Sequence, residues 1–192
     1  MKLESAPKII SVFGSSRPRD GDAHYALARQ LGVELASRGF AVCSGGYGGV
    51  MEAVSRGAKD AGGSTIGIVA ELFTSRANRW IDEVISVKSW QDRLFSLIET
   101  GAGYAACPGG TGTLVELSVV WEMLNKRVMH AKPFVTIGHF WGPIIERVRE
   151  VETGHASQWG EGSSRIIHKA EAPAQAADYL ARMLLDGSSR SA

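Results

Sequence analysis

Residues 103–125 read GYAACPGGTGTLVELSVVWEMLN, which runs from an apolar segment through a glycine-rich turn into a second apolar segment. The part 103–110 predicts a strand followed by a turn. From Thr113 to Asn125 the apolar residues recur at helical spacing. Because a strand that passes through a tight turn into a helix is the building block of βαβ units, the stretch predicts a parallel sheet covered by helices.

The rest of the chain repeats this alternation. Apolar runs predict strands at 8–14, 40–46, 64–70, 82–88 and 132–138 and near Ile166, and helical spacing predicts helices at 23–39, 49–63, 93–100, 142–153 and 173–185. Ser89 and Asp92 form a predicted capping pair in front of the helix at 93–100. We therefore expect one α/β domain over residues 1–192 with its core at about 8–185, a Rossmann-like three-layer sandwich with a mostly parallel sheet.

Composition excludes several classes of partner. The 192 residues include 21 Lys plus Arg against 20 Asp plus Glu, without a basic tail, so we expect no nucleic-acid partner. Apolar runs fall short of the ~20 residues of a membrane helix, and the start MKLESAPK has no apolar signal core. We expect no membrane contact and a cytoplasmic location. Cys43, Cys107 and the histidines lack metal-ligand spacing, so we expect buried thiols, no metal and no cofactor.

Three small-residue loops follow predicted strands: GSSRPR (14–19), SGGYGGVM (44–51) and PGGTGT (108–113). Ligands of open α/β sheets bind beyond the carboxyl ends of the strands, so these loops are expected to converge on one site. In the first two loops the candidate nucleotide contacts are Ser15, Ser16, Gly46 and Met51. A plain turn at the end of the strand is the alternative for the two serines.

The third loop opens a predicted helix, where free backbone N–H groups and the helix dipole favour an anion. The candidate phosphate-binding residues are Gly109, Gly110, Thr111, Gly112 and Thr113. A tight turn without a ligand is the alternative. The dinucleotide pattern G-x-G-x-x-G fails here because Val115 takes the place of its third glycine, and no P-loop sequence occurs in the chain.

Glu116 is an unusual residue in the helix that follows. It shares a helix face with Val119, Val120 and Met123, and the helix is apolar over most of its circumference. Such a helix is expected to be covered by more than the sheet, which predicts a homodimer through the helix 113–125. A carboxylate on that surface is costly unless it is paired or used in catalysis. The alternative is an acid that the helix dipole favours near the N-terminus.

Residues 108–116 match the pattern P-G-G-x-G-T-x-x-E, and the chain resembles the LONELY GUY (LOG) family, often called lysine decarboxylase-like. The resemblance extends from Ile9 to about Val151 and includes VFGSS at 12–16 and AGGSTIGI at 61–68. Members of this family cleave cytokinin riboside 5′-monophosphates, and sometimes AMP, to free base and ribose 5-phosphate. A small-molecule nucleoside monophosphate is therefore the expected partner.

The resemblance also implies the catalytic residues. The family has a catalytic arginine fifteen residues before the motif proline, and in this chain that position is Arg93. Arg93 and Glu116 are thus the implied catalytic pair. We expect Glu116 to stabilise the oxocarbenium-like transition state and to activate water. We expect Arg93 either to hold Glu116 ionised and in place, since a nearby opposite charge lowers the pKa of a carboxyl group, or to contact the ribose hydroxyls and the leaving base. Without the resemblance, Arg93 would be interpreted as a surface arginine.

The chain departs from the family pattern at three positions. Leu94 replaces the lysine that usually follows the arginine, Val115 replaces the first of two acids, and Glu52 stands where many members have glycine. These changes put the cytokinin specificity in doubt. They favour an alternative function, a non-catalytic carrier of a nucleotide or a molybdenum-cofactor phosphopterin with the same fold.

Overall fold

A computed structural model describes residues 6–73, 76–154 and 166–185. Within these ranges the chain forms a seven-stranded sheet in the order β4-β3-β2-β1-β5-β6-β7, and all neighbouring strands are parallel. The strands are β1 Ile9–Phe13, β2 Ala41–Ser44, β3 Thr65–Ala70, β4 Glu83–Val87, β5 Gly103–Ala106, β6 Phe134–Ile137 and β7 Ile167–Ala170. The helices are α1 Ala23–Ser37, α2 Val50–Asp60, α3 Trp90–Thr100, α4 Thr111–Asn125, α5 Gly142–Gly154 and α6 Pro173–Leu184.

The helices cover the sheet on both faces. Buried side chains of α1, α2 and α6 form one core cluster with the strands, and those of α3, α4 and α5 form the other. Successive strand residues point to opposite faces, so Val12 of β1 belongs to the first cluster and Phe13 to the second. The expected three-layer α/β fold is confirmed, with a sheet that is parallel throughout the described residues.

The predicted elements agree with the structure apart from their ends. Two helices begin earlier than predicted: α3 begins at Trp90, three residues before the predicted start, and α4 begins at Thr111, two residues before it. In α4, Gly110 is the extended N-cap, and Thr111 and Gly112 already belong to the first helical turn. Residues 155–165, between α5 and β7, lie outside the described residues. Among the described helices, none is long and apolar enough to cross a membrane.

Strand order determines where a ligand can bind. The chain builds the sheet outward from β1 in one direction through β2, β3 and β4, and then outward from β5 in the other direction. The order therefore reverses between β1 and β5, which is the usual location of a binding crevice in open α/β sheets. The loops after β1, β2 and β5 all lie at this edge.

Candidate active site at the carboxyl ends of the strands

Ser15 joins the three glycine-rich loops. Its backbone N–H donates to the carbonyl of Pro108 at 3.3 Å, and its own carbonyl accepts the N–H of Val50 at 2.8 Å. Gly49, which precedes Val50, has φ +70°, and a Cβ there would lie 2.3 Å from the Ser15 carbonyl oxygen. The predicted convergence of the three loops is thus observed, and backbone contacts hold the loops together.

The open loop, residues 108–113, leads into the amino end of α4. The first intrahelical hydrogen bond runs from the N–H of Leu114 to the carbonyl of Gly110, so the N–H groups of Thr111, Gly112 and Thr113 have no partner within the helix. Gly110, Thr111 and Gly112 are exposed. Thr113 is buried, and its Oγ1 would lie 2.2 Å from a Cβ at position 109. The side chain of Thr113 therefore lies behind the loop, whereas the backbone of 110–112 faces solvent.

Arg93 lies in the first turn of α3, and a capping box determines where that helix begins. The Ser89 side chain accepts the N–H of Asp92 at 3.0 Å, and the Asp92 carboxylate accepts the N–H of Ser89 at 3.2 Å. Reciprocal bonds of this kind satisfy N–H groups that a helix start leaves free. The predicted capping pair is confirmed, and it places Arg93 immediately after the cap.

Three groups enclose the Arg93 guanidinium. Its Nε donates to the carbonyl of Ile68 at 2.9 Å, its Nη2 lies 3.7 Å from the sulfur of Met51, and its Cζ lies 5.3 Å from the centre of the Tyr47 ring. There is no room for a side chain at Gly45, where a Cβ would lie 1.6 Å from Nη2. The support loop, residues 44–51, thus encloses the arginine and limits its movement.

Asn78 in turn fixes the support loop. Its side-chain amide donates to the carbonyls of Gly46 at 3.0 Å and Tyr47 at 2.9 Å, and its backbone N–H also donates to Gly46 at 2.8 Å. The Tyr47 hydroxyl accepts the N–H of Ala70 at 3.0 Å. Sequence reasoning missed both Asn78 and Tyr47, because no helical or strand pattern marks the irregular segment that holds Asn78.

Arg93 and Glu116 meet at the carboxyl end of the sheet, as the resemblance implied. Arg93 Nη1 lies 4.0 Å from Glu116 Oε1, and the two side chains are only 10% and 14% exposed. This distance is an ion-pair contact without a hydrogen bond. The two residues lie on different helices, α3 and α4, so the tertiary fold brings them together.

The protonation of Glu116 differs from the expectation. Burial raises the pKa of Glu116 to about 7, and the positive charge of Arg93 offsets only part of that rise. Arg93 thus lowers the pKa of this carboxyl as expected, but its effect is smaller than that of burial, so the net shift is upward. The physical reason is that Glu116 loses most of its water, while the Nε hydrogen bond of Arg93 goes to Ile68 instead of the carboxylate.

The other candidates fall into separate environments. Gly46 is buried with φ +74°, and Asn78 occupies its carbonyl. Met51 is buried against Arg93, so in the described structure it supports the arginine. Ser16 is exposed, and its carbonyl accepts a 3.4 Å hydrogen bond from Arg19 Nη1. Arg79 stacks on Trp80 with its Cζ 4.7 Å from the ring centre.

The two cysteines are buried and free, as predicted, and burial raises the pKa of both thiols to about 12. Within residues 6–73, 76–154 and 166–185, no group of three or more His, Cys, Asp or Glu side chains is arranged to hold a metal ion. His155 lies outside these ranges.

The three departures from the family pattern have different structural consequences. Leu94 is buried in the core cluster of α3, α4 and α5, so its side chain does not face the site. Val115 packs, half-buried, against the same cluster. Glu52, in the first turn of α2, accepts a hydrogen bond from the Tyr25 hydroxyl at 3.2 Å.

Comparison with known proteins identifies the family. The model of the SLOG cluster4 family matches residues 7–171. The chain belongs to the SLOG cluster4 family. A cytokinin riboside 5′-monophosphate phosphoribohydrolase from Mycobacterium tuberculosis is 30% identical over 154 residues, which cover 77% of this chain and 81% of that protein. The enzyme of the same name from Arabidopsis thaliana is 31% identical over 165 residues, which cover 82% of this chain and 76% of the relative.

These relatives confirm the resemblance to the LOG family. Among solved structures, the molybdenum cofactor binding protein from the phototrophic bacterium Rippkaea orientalis matches with a TM-score of 0.74 and 24% identity. The match covers 93% of this chain and 98% of that one. At this identity the likeness demonstrates the shared Rossmann-like fold.

Proposed function

We propose that this protein hydrolyses the N-glycosidic bond of a nucleoside 5′-monophosphate, such as AMP or a cytokinin riboside monophosphate, to free base and ribose 5-phosphate. The position of Glu116 carries the proposal. This mostly buried carboxyl lies one helical turn beyond the exposed amino end of α4 and 4.0 Å from Arg93. The names of the relatives from Mycobacterium tuberculosis and Arabidopsis thaliana support the same reaction.

The open loop is the proposed site for the 5′-phosphate. The N–H groups of residues 111–113 are free of helical partners and lie at the positive end of the α4 dipole. A phosphate held by these groups places the ribose along the first turns of α4, towards Glu116. Phosphate binding thus positions the sugar, and the carboxylate acts on it one turn further along the helix.

Glu116 then has two roles in the reaction. As a carboxylate it stabilises the positive charge that develops on the ribose as the bond between C1′ and the base nitrogen breaks. It also accepts a proton from the water whose oxygen bonds to C1′. The base nitrogen keeps the electron pair of the broken bond and takes up a proton from solvent, while Glu116 releases to solvent the proton that it accepted from the water. Hydrolysis is complete without a further reactant.

The pKa of Glu116 suits a general base near neutral pH. A pKa of about 7 means that roughly half of the molecules carry the ionised form at pH 7. Arg93, which the support loop restrains, assists by keeping positive charge next to this carboxylate and near the ribose hydroxyls. Its Nη1 group faces Glu116 at 4.0 Å and is available to do so.

A screen for released base tests the proposal. The protein is incubated with a set of nucleoside 5′-monophosphates that includes AMP and isopentenyl-AMP, and free base is measured by chromatography. Glu116→Gln should lower the rate by about 10³-fold, since general-base catalysis and charge stabilisation are both lost. Glu122→Gln on the same helix is the matched control, because that carboxylate is exposed and pairs with Lys126. Absence of release from every nucleotide, or full activity of Glu116→Gln, would overturn the proposal.

The same screen separates the enzyme from the alternative carrier. A carrier of a nucleotide or a phosphopterin would bind its ligand and return it intact after hours of incubation. The likeness to the Rippkaea orientalis protein is the observation that favours this second function. The burial of Leu94 argues against the carrier function. Leu94 packs in the core, so the absence of the family lysine at this position does not remove a group from the site.

A homodimer through α4 is the proposed assembly. Five apolar side chains of this helix remain partly exposed in the single chain: Leu114, Val115, Val119, Met123 and Leu124. A second copy would remove this surface from water. Sedimentation should give twice the chain mass, and Val119→Glu should give the mass of one chain. A parent protein that sediments as a monomer at all concentrations would contradict this assembly.

A further inference from the structure

A second cleft, of about 350 Å³, opens beside the open loop. It lies between the segment that joins β1 to α1, the turn at Pro108 and Gly109, and Phe140 in the segment before α5. Arg93 and Glu116 are not among the described residues that line it. Because Gly109 belongs to the open loop and also borders the cleft, a group bound here adjoins the proposed phosphate site.

The cleft holds an arginine that the fold does not use. Arg17 is exposed, and within the described parts of the chain its guanidinium makes no hydrogen bond or ion pair. Its backbone N–H donates to Ser15 Oγ at 3.2 Å, which holds the start of this segment against the joined loops. A free guanidinium next to a phosphate site is suited to a second phosphate, since it can donate two parallel hydrogen bonds.

The other groups in the cleft restrict the form of that phosphate. Asp22 lines the cleft, and its carboxylate accepts the N–H of Arg19 at 2.7 Å. His24, also in the lining, is exposed. The carboxylate would repel a terminal phosphate with two negative charges more than a bridging phosphate with one. A carboxylate oxygen is also an acceptor for sugar hydroxyls, and Phe140, which is 48% exposed, offers an apolar surface for a sugar ring.

We propose that this cleft binds the second phosphate and the sugar of a nucleoside diphosphate sugar, whose first phosphate lies on the open loop. The inference rests on the proposed function for the position of that first phosphate. Arg17 pairs with the second phosphate, Asp22 accepts a hydrogen bond from a sugar hydroxyl, and Phe140 packs against the sugar ring. The protein then recognises nucleotides in which the 5′-phosphate is extended, in addition to monophosphates.

Calorimetric titration with Glu116→Gln tests this binding without turnover. The affinities of AMP, ADP and ADP-glucose are compared. If the base-release screen identifies a base other than adenine, the corresponding nucleotides of that base are used instead. ADP-glucose should bind at least about tenfold more tightly than AMP, the gain expected from one charge-assisted contact. Adding Arg17→Gln should remove that gain and leave the AMP affinity within about twofold. Lys88→Gln is the matched control, because Lys88 is exposed, follows β4 directly and carries the same charge at the far edge of the sheet.

A second variant keeps the test independent of Arg17. This variant is Asp22→Asn, made in the Glu116→Gln protein. Asparagine is also suited to cap α1, so the fold should be unaffected. Asp22→Asn should weaken the binding of ADP-glucose, whereas the binding of ADP should stay equal or tighten. Equal affinity for ADP-glucose and AMP in the Glu116→Gln parent overturns the inference, as does an affinity ratio that Arg17→Gln leaves unchanged. If the wild-type protein releases no base but ADP-glucose binds in an Arg17-dependent manner, the inference stands and the proposed hydrolysis fails.

Discussion

The support loop and the open loop look alike in sequence and differ in the structure. Each follows a buried strand, is rich in glycine and leads into a helix. In the support loop a Cβ at Gly45 would collide with Arg93. In the open loop a Cβ at Gly110 or Gly112 would meet nothing within 4 Å. In the support loop, glycine therefore allows the Arg93 side chain to pack closely against the backbone. In the open loop, the backbone at Gly110 and Gly112 stays accessible.

This difference shows that a glycine-rich turn is not by itself evidence of a ligand site. In the support loop the carbonyls of Gly46 and Tyr47 are taken by Asn78, so part of its backbone is committed to the fold. At the amino end of α4 the backbone N–H groups have no partner within the helix. Under the proposed function, the support loop positions Arg93 and the open loop binds the phosphate. Three variants test this division of roles, and a fourth, Glu116→Gln, tests the environment of the carboxyl group beside Arg93.

Among the loop variants, Gly45→Ala should have the largest effect on activity. The added methyl group would lie 1.6 Å from Arg93 Nη2, so the guanidinium must leave its position beside Glu116. We expect base release to fall by at least about 100-fold, and the free energy of unfolding to fall by about 1–3 kcal/mol from overpacking. Activity is measured by base release and stability by urea titration. Normal activity in a folded Gly45→Ala protein would refute the role assigned to the support loop.

Glu116→Gln should change how stability depends on pH. The pKa of Glu116 is raised from 4.5 to about 7 in the folded protein, so between these values the folded state holds a proton that the unfolded chain releases. The free energy of unfolding contributed by this group is therefore highest below about pH 4.5 and falls as pH rises through 7, by up to about 3 kcal/mol. Unfolding curves at pH 5 and pH 8 should show this loss in the wild type and not in Glu116→Gln. If the two proteins lose stability in parallel, the raised pKa is wrong.

Asn78→Ala should have an intermediate effect. It removes two side-chain hydrogen bonds that hold the support loop, but leaves the backbone bond from residue 78 to Gly46 in place. We expect a loss of about 1–3 kcal/mol in stability and about tenfold in kcat, with little change in KM, because Arg93 loses its support and the phosphate site is untouched. Asn125→Ala, at the end of α4, is the control for loss of an amide elsewhere. A change confined to KM would argue against a positioning role.

Gly112→Ala should have the smallest effect on the fold and a selective effect on binding. A Cβ here meets no atom within 4 Å, and alanine favours a helix over glycine by up to about 1 kcal/mol. Stability should therefore stay equal or rise, while the methyl group obstructs the approach of a phosphate and raises KM several-fold. Steady-state kinetics and thermal unfolding of the same sample check both expectations. An unchanged KM would mean that the phosphate does not lie on the open loop.

Local patterns predicted much of the fold, because they depend on residues close together in the chain. The capping pair of Ser89 and Asp92 was recognised from its spacing, and the alternation of strands and helices implied the parallel sheet. The start of α4 was predicted two residues too late, since the glycines at 110 and 112 are typical of a turn and not of the first turn of a helix. Asn78 was missed because its partners, Gly46 and Tyr47, lie some thirty residues away in the sequence.

By itself the sequence determined the α/β architecture and the family motif, since both depend on residue type and spacing. The resemblance that this motif carries implied the pairing of Arg93 with Glu116, and the tertiary fold brings the two side chains together. Only the tertiary structure decided which glycine loop supports the protein and which one is open, because that depends on what packs against each loop. It also decided the sign of the pKa shift of Glu116. A neighbouring arginine and a dry environment act on a carboxyl group in opposite directions, and the outcome depends on how far α3, α4 and the loops exclude water from it.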